Sequence, residues 1–217
     1  MRSLVQPAVL RAASLAALIT AAACYPRLAL WTDRPYSLWF ALLVLAWAAF
    51  VLWSFVFGWL EQSTGRSPFR IQVRPLWWSV ATACGLAGAL ILHVSIDGVL
   101  RPLMPGDYPT NLQSWLALSL FTLTFDQLFL CFAPFAFFVR LFRSPRAAGT
   151  CTVLFGVLLV YLKVRAWSDQ FSLGFLYELV GWRAGAGWLS VFLLLRGGVP
   201  MALWWIFLLQ LRHLVWW

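Results

Sequence analysis

The sequence contains few charged residues for its length. Asp, Glu, Lys and Arg make up 11% of the 217 residues, whereas they make up about a quarter of a typical soluble domain. Hydrophobic residues make up 63%, fifteen residues are tryptophan, and the mean hydropathy is +0.83. Several apolar runs reach the ~20 residues that a helix needs to cross a bilayer. Because these runs are continuous and do not alternate, the sequence predicts an all-α, multi-pass transmembrane helical bundle and not a β-barrel.

Motifs for metals, cofactors and nucleotides are also missing. The chain has four cysteines and two histidines, and no two cysteines have the CxxC spacing of a metal or redox site. No Walker, Rossmann or zinc-binding HExxH pattern occurs. We therefore expect no cofactor and no metal, and we interpret the cysteines as small packing residues.

The basic residues are spread along the chain. The formal net charge is +9, because sixteen Lys and Arg outnumber seven Asp and Glu. They lie at the ends of apolar runs and do not form one basic region, so the charge does not indicate a nucleic-acid partner. It indicates contacts with lipid headgroups and signals for membrane orientation. We expect membrane lipids as partners and no nucleic acid.

The apolar runs predict about seven spans, within a range of six to eight. The first run imitates a secretory signal, but Ala21 stands where a lipoprotein cleavage site has Leu, so we interpret it as a retained helix. The further runs lie at about 37–60, 77–96, 115–142, 148–164, 171–182, 186–195 and 198–216. Ala81 and Gly85 have the spacing that allows two helices to approach closely. The run at 115–142 is too long for one straight crossing, so it must tilt, kink near Pro134 or protrude.

Arginine-rich segments predict the orientation of the chain. The N-terminus is basic, and the connectors at 61–75 and 140–146 each carry three arginines. The connectors around 25–36 and 98–112 have little net charge. The positive-inside rule therefore places the N-terminus in the cytoplasm, and we expect a bacterial inner (cytoplasmic) membrane protein.

Two polar residues, Asp126 and Gln127, stand inside the oily run FTLTFDQLFLCFAPFAFF. Placing a carboxylate at the centre of a membrane helix costs ~2.5–3.5 kcal/mol on translocon scales, so such a residue marks a functional site by default. A protonated or hydrogen-bonded aspartate that only fixes helix packing is equally compatible with the residues alone. Both interpretations stay open at this point.

Around these residues the sequence resembles the CPBP family of CAAX-protease and bacteriocin-processing intramembrane peptidases. FDQLFLC followed by FAPFAFFVRLF resembles the family motif EExxxR and its helix. CTVLFGVLLVYL falls where the family has an FxxxH helix, and GWLSVFLLLRGGVPMALWWIFLLQL resembles the closing segment. The resemblance covers about 113–212. It implies three N-terminal spans in 1–112 and a CPBP-like helical core in 113–217.

Matched residue by residue, the resemblance implies that most catalytic groups are absent. The positions of the paired glutamates, the arginine, the two histidines and the last amide are Asp126, Gln127, Cys131, Leu159, Trp205 (within one residue) and Gln210. In the family, the acids and histidines activate water and stabilise an oxyanion. Their loss implies a pseudoenzyme that binds a membrane protein, peptide or lipoprotein-like partner without cutting it.

Two other functions stay open. His93 and Asp97 lie four residues apart on one helical face, and His93 could approach Asp126 as the relocated partner in an active hydrolase. The same two residues can equally be solvated at the end of a span. Asp126 could instead be the proton or cation site of a small transporter, although no repeat symmetry supports one. The sequence leaves the oligomeric state open.

Overall fold

The computed structural model describes residues 4–33, 35–70, 73–165 and 171–216. Within these residues the chain is helical, without a named strand, and six helices are long and apolar enough to cross a membrane. They are Pro7–Leu30 (α1), Leu38–Thr64 (α2), Pro75–Leu103 (α3), Leu112–Phe142 (α4), Pro145–Arg165 (α5) and Leu173–Leu214 (α6). The prediction of an all-α, multi-pass membrane bundle is therefore confirmed.

The outer surface of the bundle is apolar. Large side chains point away from the core on every long helix, and Trp39, Leu43 and Trp47 of α2 are 75%, 69% and 68% exposed. A water-soluble helix shows a polar outer face instead. This surface is suited to contact with lipid tails, as the continuous apolar runs predicted.

Helix α6 reverses its direction at Gly198. The backbone there has φ 75° and ψ −169°, a conformation that essentially only glycine adopts. The indole Nε1 of Trp205 donates a hydrogen bond of 3.1 Å to Oγ of Ser190. Two residues fifteen positions apart in a straight helix would be separated by ~22 Å. The segments 173–197 and 199–214 are therefore two antiparallel arms of one hairpin.

The reversal changes how the last apolar runs are interpreted. The sequence predicted two separate apolar runs at 171–182 and 186–195. The structure instead joins both runs in the first arm, which is helical throughout. The run at 198–216 forms the second arm and a terminal 3₁₀ turn. The count of about seven crossings stays a prediction, since six long helices are found in the described residues.

The connector after α2 holds the reversal in place. The backbone N–H of Val199 donates to the carbonyl oxygen of Pro68 at 2.8 Å. The guanidinium of Arg66 donates to the carbonyl oxygen of Leu195 at 2.6 Å. The last carbonyls of a helix lack intrahelical partners, so Arg66 satisfies one of them at the end of the first arm.

Small residues bring α3 close to α6. A Cβ atom added to Gly85 would lie 2.7 Å from Cβ of Leu208. A Cβ atom added to Gly88 would lie 2.9 Å from Leu209 and 3.0 Å from Trp182. These two partners come from opposite arms of α6, so Gly88 packs where the arms meet.

Two apolar clusters tie the two halves of the sequence together. In the first, Trp53 of α2 packs with Phe132 of α4. In the second, Ile96 of α3 packs with Trp205 of α6. Both clusters thus contain residues from 1–112 and from the remainder of the chain, and the predicted division at 112 stays a prediction.

Helix α4 contains two wide, π-helical segments. They are Thr122–Asp126 and Leu128–Phe132, and they precede Pro134, which has no N–H to donate to the preceding turn. Helix α3 has a similar segment at Leu92–Asp97. Turns of this kind occur often at functional sites. Both segments that end in an aspartate border the cavity described below.

Replacing Gly198 with alanine is expected to destabilise the protein by ~3 kcal/mol or more, because the backbone conformation excludes a side chain. The added Cβ would also lie 2.3 Å from the carbonyl oxygen of Pro68. Thermal unfolding of the detergent-solubilised protein measures the loss. Gly185→Ala is the matched control, because no heavy atom lies within 4 Å of its added Cβ. An equal loss in both variants would contradict the role of Gly198.

Candidate functional site

A polar cavity lies between α3, α4, α5 and the two arms of α6. It consists of an outer chamber of about 330 Å³ and an overlapping inner chamber of about 290 Å³. The polar side chains common to both chambers are Tyr108, Thr122, Asp126, Gln210 and Arg212. Only the outer chamber adds Asp107, Lys163 and His213, and only the inner chamber adds Asp97, Gln127, Arg183 and Ser190.

The mouth of the cavity lies beside the connector between α3 and α4. Lys163 at the end of α5 forms an ion pair with Asp107 of this connector. Their side chains are 60% and 42% exposed, so the pair lies at the surface. Exposed ion pairs contribute little to stability. Its clearest consequence is that both charges at the mouth are already compensated.

A buried ion pair joins α3 to the end of α6. Asp97 is 1% exposed, and its Oδ2 accepts a hydrogen bond of 3.0 Å from Nε of Arg212. The Tyr108 hydroxyl donates to Oδ1 of the same carboxylate at 3.1 Å. Burying a carboxylate is tolerated only when it is paired and hydrogen-bonded. Asp97 is therefore fully engaged in structure.

Tyr108 is held from two sides. Its ring packs edge-on against the imidazole of His213, with 5.4 Å between the ring centroids. Burial, followed by the Asp97 carboxylate, raises the pKa of the Tyr108 phenol well above its usual range. The hydroxyl thus stays protonated and remains a donor to Asp97 at physiological pH.

Asp126 lies near the middle of α4, at the end of its first π-helical segment. Its Oδ2 accepts a hydrogen bond of 3.3 Å from the Thr122 hydroxyl, one turn earlier. No Lys, Arg or His among the described residues lies within 4.0 Å of the carboxylate. Both chambers reach this side chain. Asp126 is therefore an acid that faces the cavity without an ion-pair partner there.

Arg183 faces the inner chamber from the first arm of α6. Its Nε is buried, and within the described part of the chain it has no hydrogen-bond partner. No acidic group described in the structure lies within 4.0 Å of its guanidinium. A Cβ atom added to Gly156 of α5 would lie 2.7 Å from Nη2. The guanidinium thus rests on Gly156, and α5 fixes its position.

The inner end of the cavity contains the rest of the predicted motif. Gln127 and Cys131, both buried, line a recess of about 10 Å³ together with Arg183 and Thr152. A space of this size accommodates about one water molecule. Gln127 and Arg183 line both this recess and the inner chamber that Asp126 faces, and Cys131 lines the recess. A shared functional role for Asp126, Gln127 and Cys131 stays a prediction.

Of the other predicted residues, Gln210 lines both chambers, whereas Trp205, Leu159 and His93 do not line them within the described residues. Trp205 is 1% exposed, and its indole N–H donates a hydrogen bond to Ser190. It is not one of the described residues that line the two chambers. The cavity walls in the described structure also do not include Leu159, although Gly156 and Val160 beside it do face this region. His93 on α3 is likewise outside these walls, and its pairing with Asp126 stays a prediction.

Sequence reasoning missed several polar residues of the cavity. Arg183 lies ten residues after the start of α6, where a charged residue in a span already indicates a functional position. The place of His213 near the C-terminus, beside Arg212, is typical of an interfacial residue, but the structure buries it to 3% exposure. No group of three or more His, Cys, Asp or Glu in the described ranges is placed to hold a metal.

No protein-family model, no curated protein and no solved structure matches this chain. The resemblance to the CPBP family therefore depends on the motif residues quoted above. The positions and charges of the cavity side chains are the basis for inferring a function.

Asp97→Asn is expected to destabilise the protein by ~3–5 kcal/mol, because it leaves the Arg212 guanidinium partly buried without a counter-charge. Tyr108→Phe removes one hydrogen bond and should cost only ~1 kcal/mol. Asp33→Asn, at an exposed position, is the control and should change stability by less than ~0.5 kcal/mol. Thermal unfolding in detergent checks all three.

The effect of Tyr108→Phe should also be independent of pH between about pH 6 and pH 9. A tyrosine pKa raised on folding stabilises the protein below the unfolded value of ~10, and the stabilisation is lost as the pH rises above that value. A difference between wild type and Tyr108→Phe that disappears by pH 8 would contradict the hydrogen bond to Asp97.

Proposed function

We propose that this chain is a seven-span protein of the bacterial inner membrane whose outward-facing cavity binds a polar part of a membrane-associated partner without hydrolysing it. The partner is a membrane protein, a peptide or a lipoprotein-like molecule. The single observation that carries the proposal is the presence of two opposite charges, Asp126 and Arg183, in one cavity without an ion pair between them.

Charge at the two ends of the bundle supports this orientation. The end that holds the reversal at Gly198 also holds Arg66 and Arg70, whose guanidinium groups reach the carbonyls of Leu195 and Arg196. The opposite end holds the mouth of the cavity and the carboxylates of the two ion pairs. The positive-inside rule assigns the arginine-rich end to the cytoplasm, which turns the cavity outward.

The depth of the cavity supports binding more than conduction. Asp126 lies about fourteen residues, or ~21 Å along the helix axis, from the start of α4. Beyond it, Phe132, Phe135 and Val199 form a fully buried apolar core. A transporter would need a polar path through this half of the bundle, and the cavity ends before it.

The replaced residues support a protein without peptidase activity. Leu159 and Trp205, where the resemblance has histidines, carry no group that transfers a proton near neutral pH. General-base catalysis contributes ~10²–10⁴-fold to a rate, and one oxyanion donor ~10²–10³-fold. The helices that carry Asp126, Leu159 and Trp205 pack against one another, which is compatible with a CPBP-like core.

A second candidate function is that of an active hydrolase. His213 and Asp126 both line the outer chamber, so a base and a carboxylate face one space at the mouth. In this version Asp126 activates water, and Arg183 stabilises the charge that develops on the substrate. The two candidates differ in whether turnover depends on Asp126.

A cysteine at position 122 is expected to react with a membrane-impermeant maleimide added outside intact cells, in a background without the four native cysteines. Thr122 lines both chambers, so water should reach it from the outer side. Leu120→Cys is the matched control on the same helix, because its side chain is 37% exposed on the lipid-facing surface. It should react only after detergent solubilisation.

Two outcomes would count against the proposed cavity. Labelling of position 122 only in inverted vesicles would mean that the cavity opens to the cytoplasm. Protection from both sides would mean that the cavity is not reached by water. Labelling is quantified by a mass shift of the protein on a gel, and both variants are first checked for wild-type expression.

Peptide hydrolysis by the purified protein in nanodiscs is expected to stay at the level of protein-free discs. The substrate is a quenched fluorescent peptide that ends in a prenylated CAAX sequence, chosen from the resemblance. Asp126→Ala should leave this rate unchanged, because no hydrolysis depends on the residue. Turnover by the wild type that falls ~10²-fold or more in Asp126→Ala would establish the hydrolase instead.

A further inference from the structure

Among the described residues, the charged side chains of the cavity form three sets, and one of these sets contains no ion pair. Lys163 is compensated by Asp107 at the mouth. Arg212 is compensated by Asp97 below it. Arg183 and Asp126 remain, both in the inner chamber and farther apart than the 4.0 Å of an ion pair.

Arg183 has the geometry of an anion site. Its guanidinium is supported by Gly156, and no acceptor in the described structure occupies its buried Nε. A guanidinium presents five donors in a planar fork that matches a carboxylate or a phosphate. Because helix packing fixes this fork, little conformational entropy is lost when an anion binds.

Asp126 restricts what that anion can be. In a cavity of low dielectric constant, a ligand with only negative charge would be repelled by the Asp126 carboxylate. A ligand with only positive charge would be repelled by Arg183 in the same way. A ligand that carries both charges can make two attractive contacts, with its anionic group on Arg183 and its cationic group on Asp126.

The size of the inner chamber restricts the ligand further. Its volume of about 290 Å³ is near the lower end of small-molecule sites. It accommodates a compact group whose two charges are a few bonds apart. Gln127 and Ser190 in the same wall add an amide and a hydroxyl for hydrogen bonds.

We propose that the inner chamber binds a small zwitterion with an ammonium group a few bonds from a phosphate or carboxylate. An amino acid and a phosphoethanolamine headgroup share this chemistry. The inference rests on the proposed outward-facing binding cavity and names the ligand class of that site. Arg183 binds the anion, Asp126 binds the ammonium, and Gly156 positions Arg183.

Binding is tested with the full-length protein in nanodiscs of phosphatidylglycerol, a lipid without an ammonium group. Isothermal titration uses O-phosphoethanolamine or L-alanine, with inorganic phosphate and ethanolamine as the single-charge probes. A parallel arm adds phosphatidylethanolamine to the discs and measures its retention on the protein by native mass spectrometry. We expect a zwitterion to bind at least about tenfold more tightly than either single-charge probe.

Three variants assign the roles. Arg183→Gln and Asp126→Asn should each weaken zwitterion binding about tenfold or more. Gly156→Ala should do the same without removing a charge, because the methyl group displaces the guanidinium. Arg140→Gln, at an exposed position on α4, and Asp33→Asn are the matched controls and should bind like the wild type.

The outcomes test the ligand class independently of the outward-facing cavity. Binding of a free zwitterion supports a soluble ligand, and selective retention of phosphatidylethanolamine supports a lipid headgroup. If inorganic phosphate binds as tightly as the zwitterion, or if Asp126→Asn binds the zwitterion like the wild type, the proposed zwitterionic ligand is contradicted. Failure of every probe also overturns it, while labelling at position 122 can still uphold the outward-facing cavity. If Arg183→Gln fails to fold, the binding measured with Gly156→Ala and Asp126→Asn tests the proposed site instead.

Discussion

The reversal of α6 at Gly198 is the constraint on which the cavity depends. Arg183 is on the first arm and Arg212 on the second, and in a straight helix they would be ~43 Å apart. Because the arms are antiparallel, both side chains face one space. The turn needs a backbone that only glycine tolerates and a carbonyl from Pro68. The connector after α2 therefore helps to shape a site formed mainly by α3 to α6.

A low dielectric environment explains why the charges are distributed as they are. Each uncompensated charge near the membrane centre costs ~2.5–3.5 kcal/mol on translocon scales, and the whole free energy of folding is only ~5–15 kcal/mol. The charges near the mouth are neutralised by partners from neighbouring helices. Asp126 and Arg183 form no ion pair within 4.0 Å, so direct contact between them does not offset this cost. A function that requires this separation accounts for it better than packing does, because an ion pair or two apolar residues would pack at lower cost.

The sequence predicted the helical class and the position of Asp126 because both depend on local composition. It did not predict that Arg183 shares the site, because the two residues are 57 positions apart and meet only through the packing of α4 with α6. Arg183 also interrupts the apolar pattern between 171–182 and 186–195, so the continuous first arm was divided into two segments. A charged residue can remain inside such a helix when it faces a cavity. The burial of His213 is equally hidden from the sequence, since its ring packs against Tyr108 in a distant connector.

Position 131 is where this chain differs most clearly from the motif that it resembles. The resemblance has an arginine there, one turn after the paired acids and on the same helix, where it can orient a carboxylate. In this chain Cys131 leaves room beside Gln127, and the guanidinium of Arg183 lines that recess from α6. A charge that arrives from another helix can be held across the chamber from Asp126 by Gly156, and no ion pair forms within 4.0 Å. Separated in this way, the carboxylate and the guanidinium are placed to contact the two ends of one ligand, as we propose.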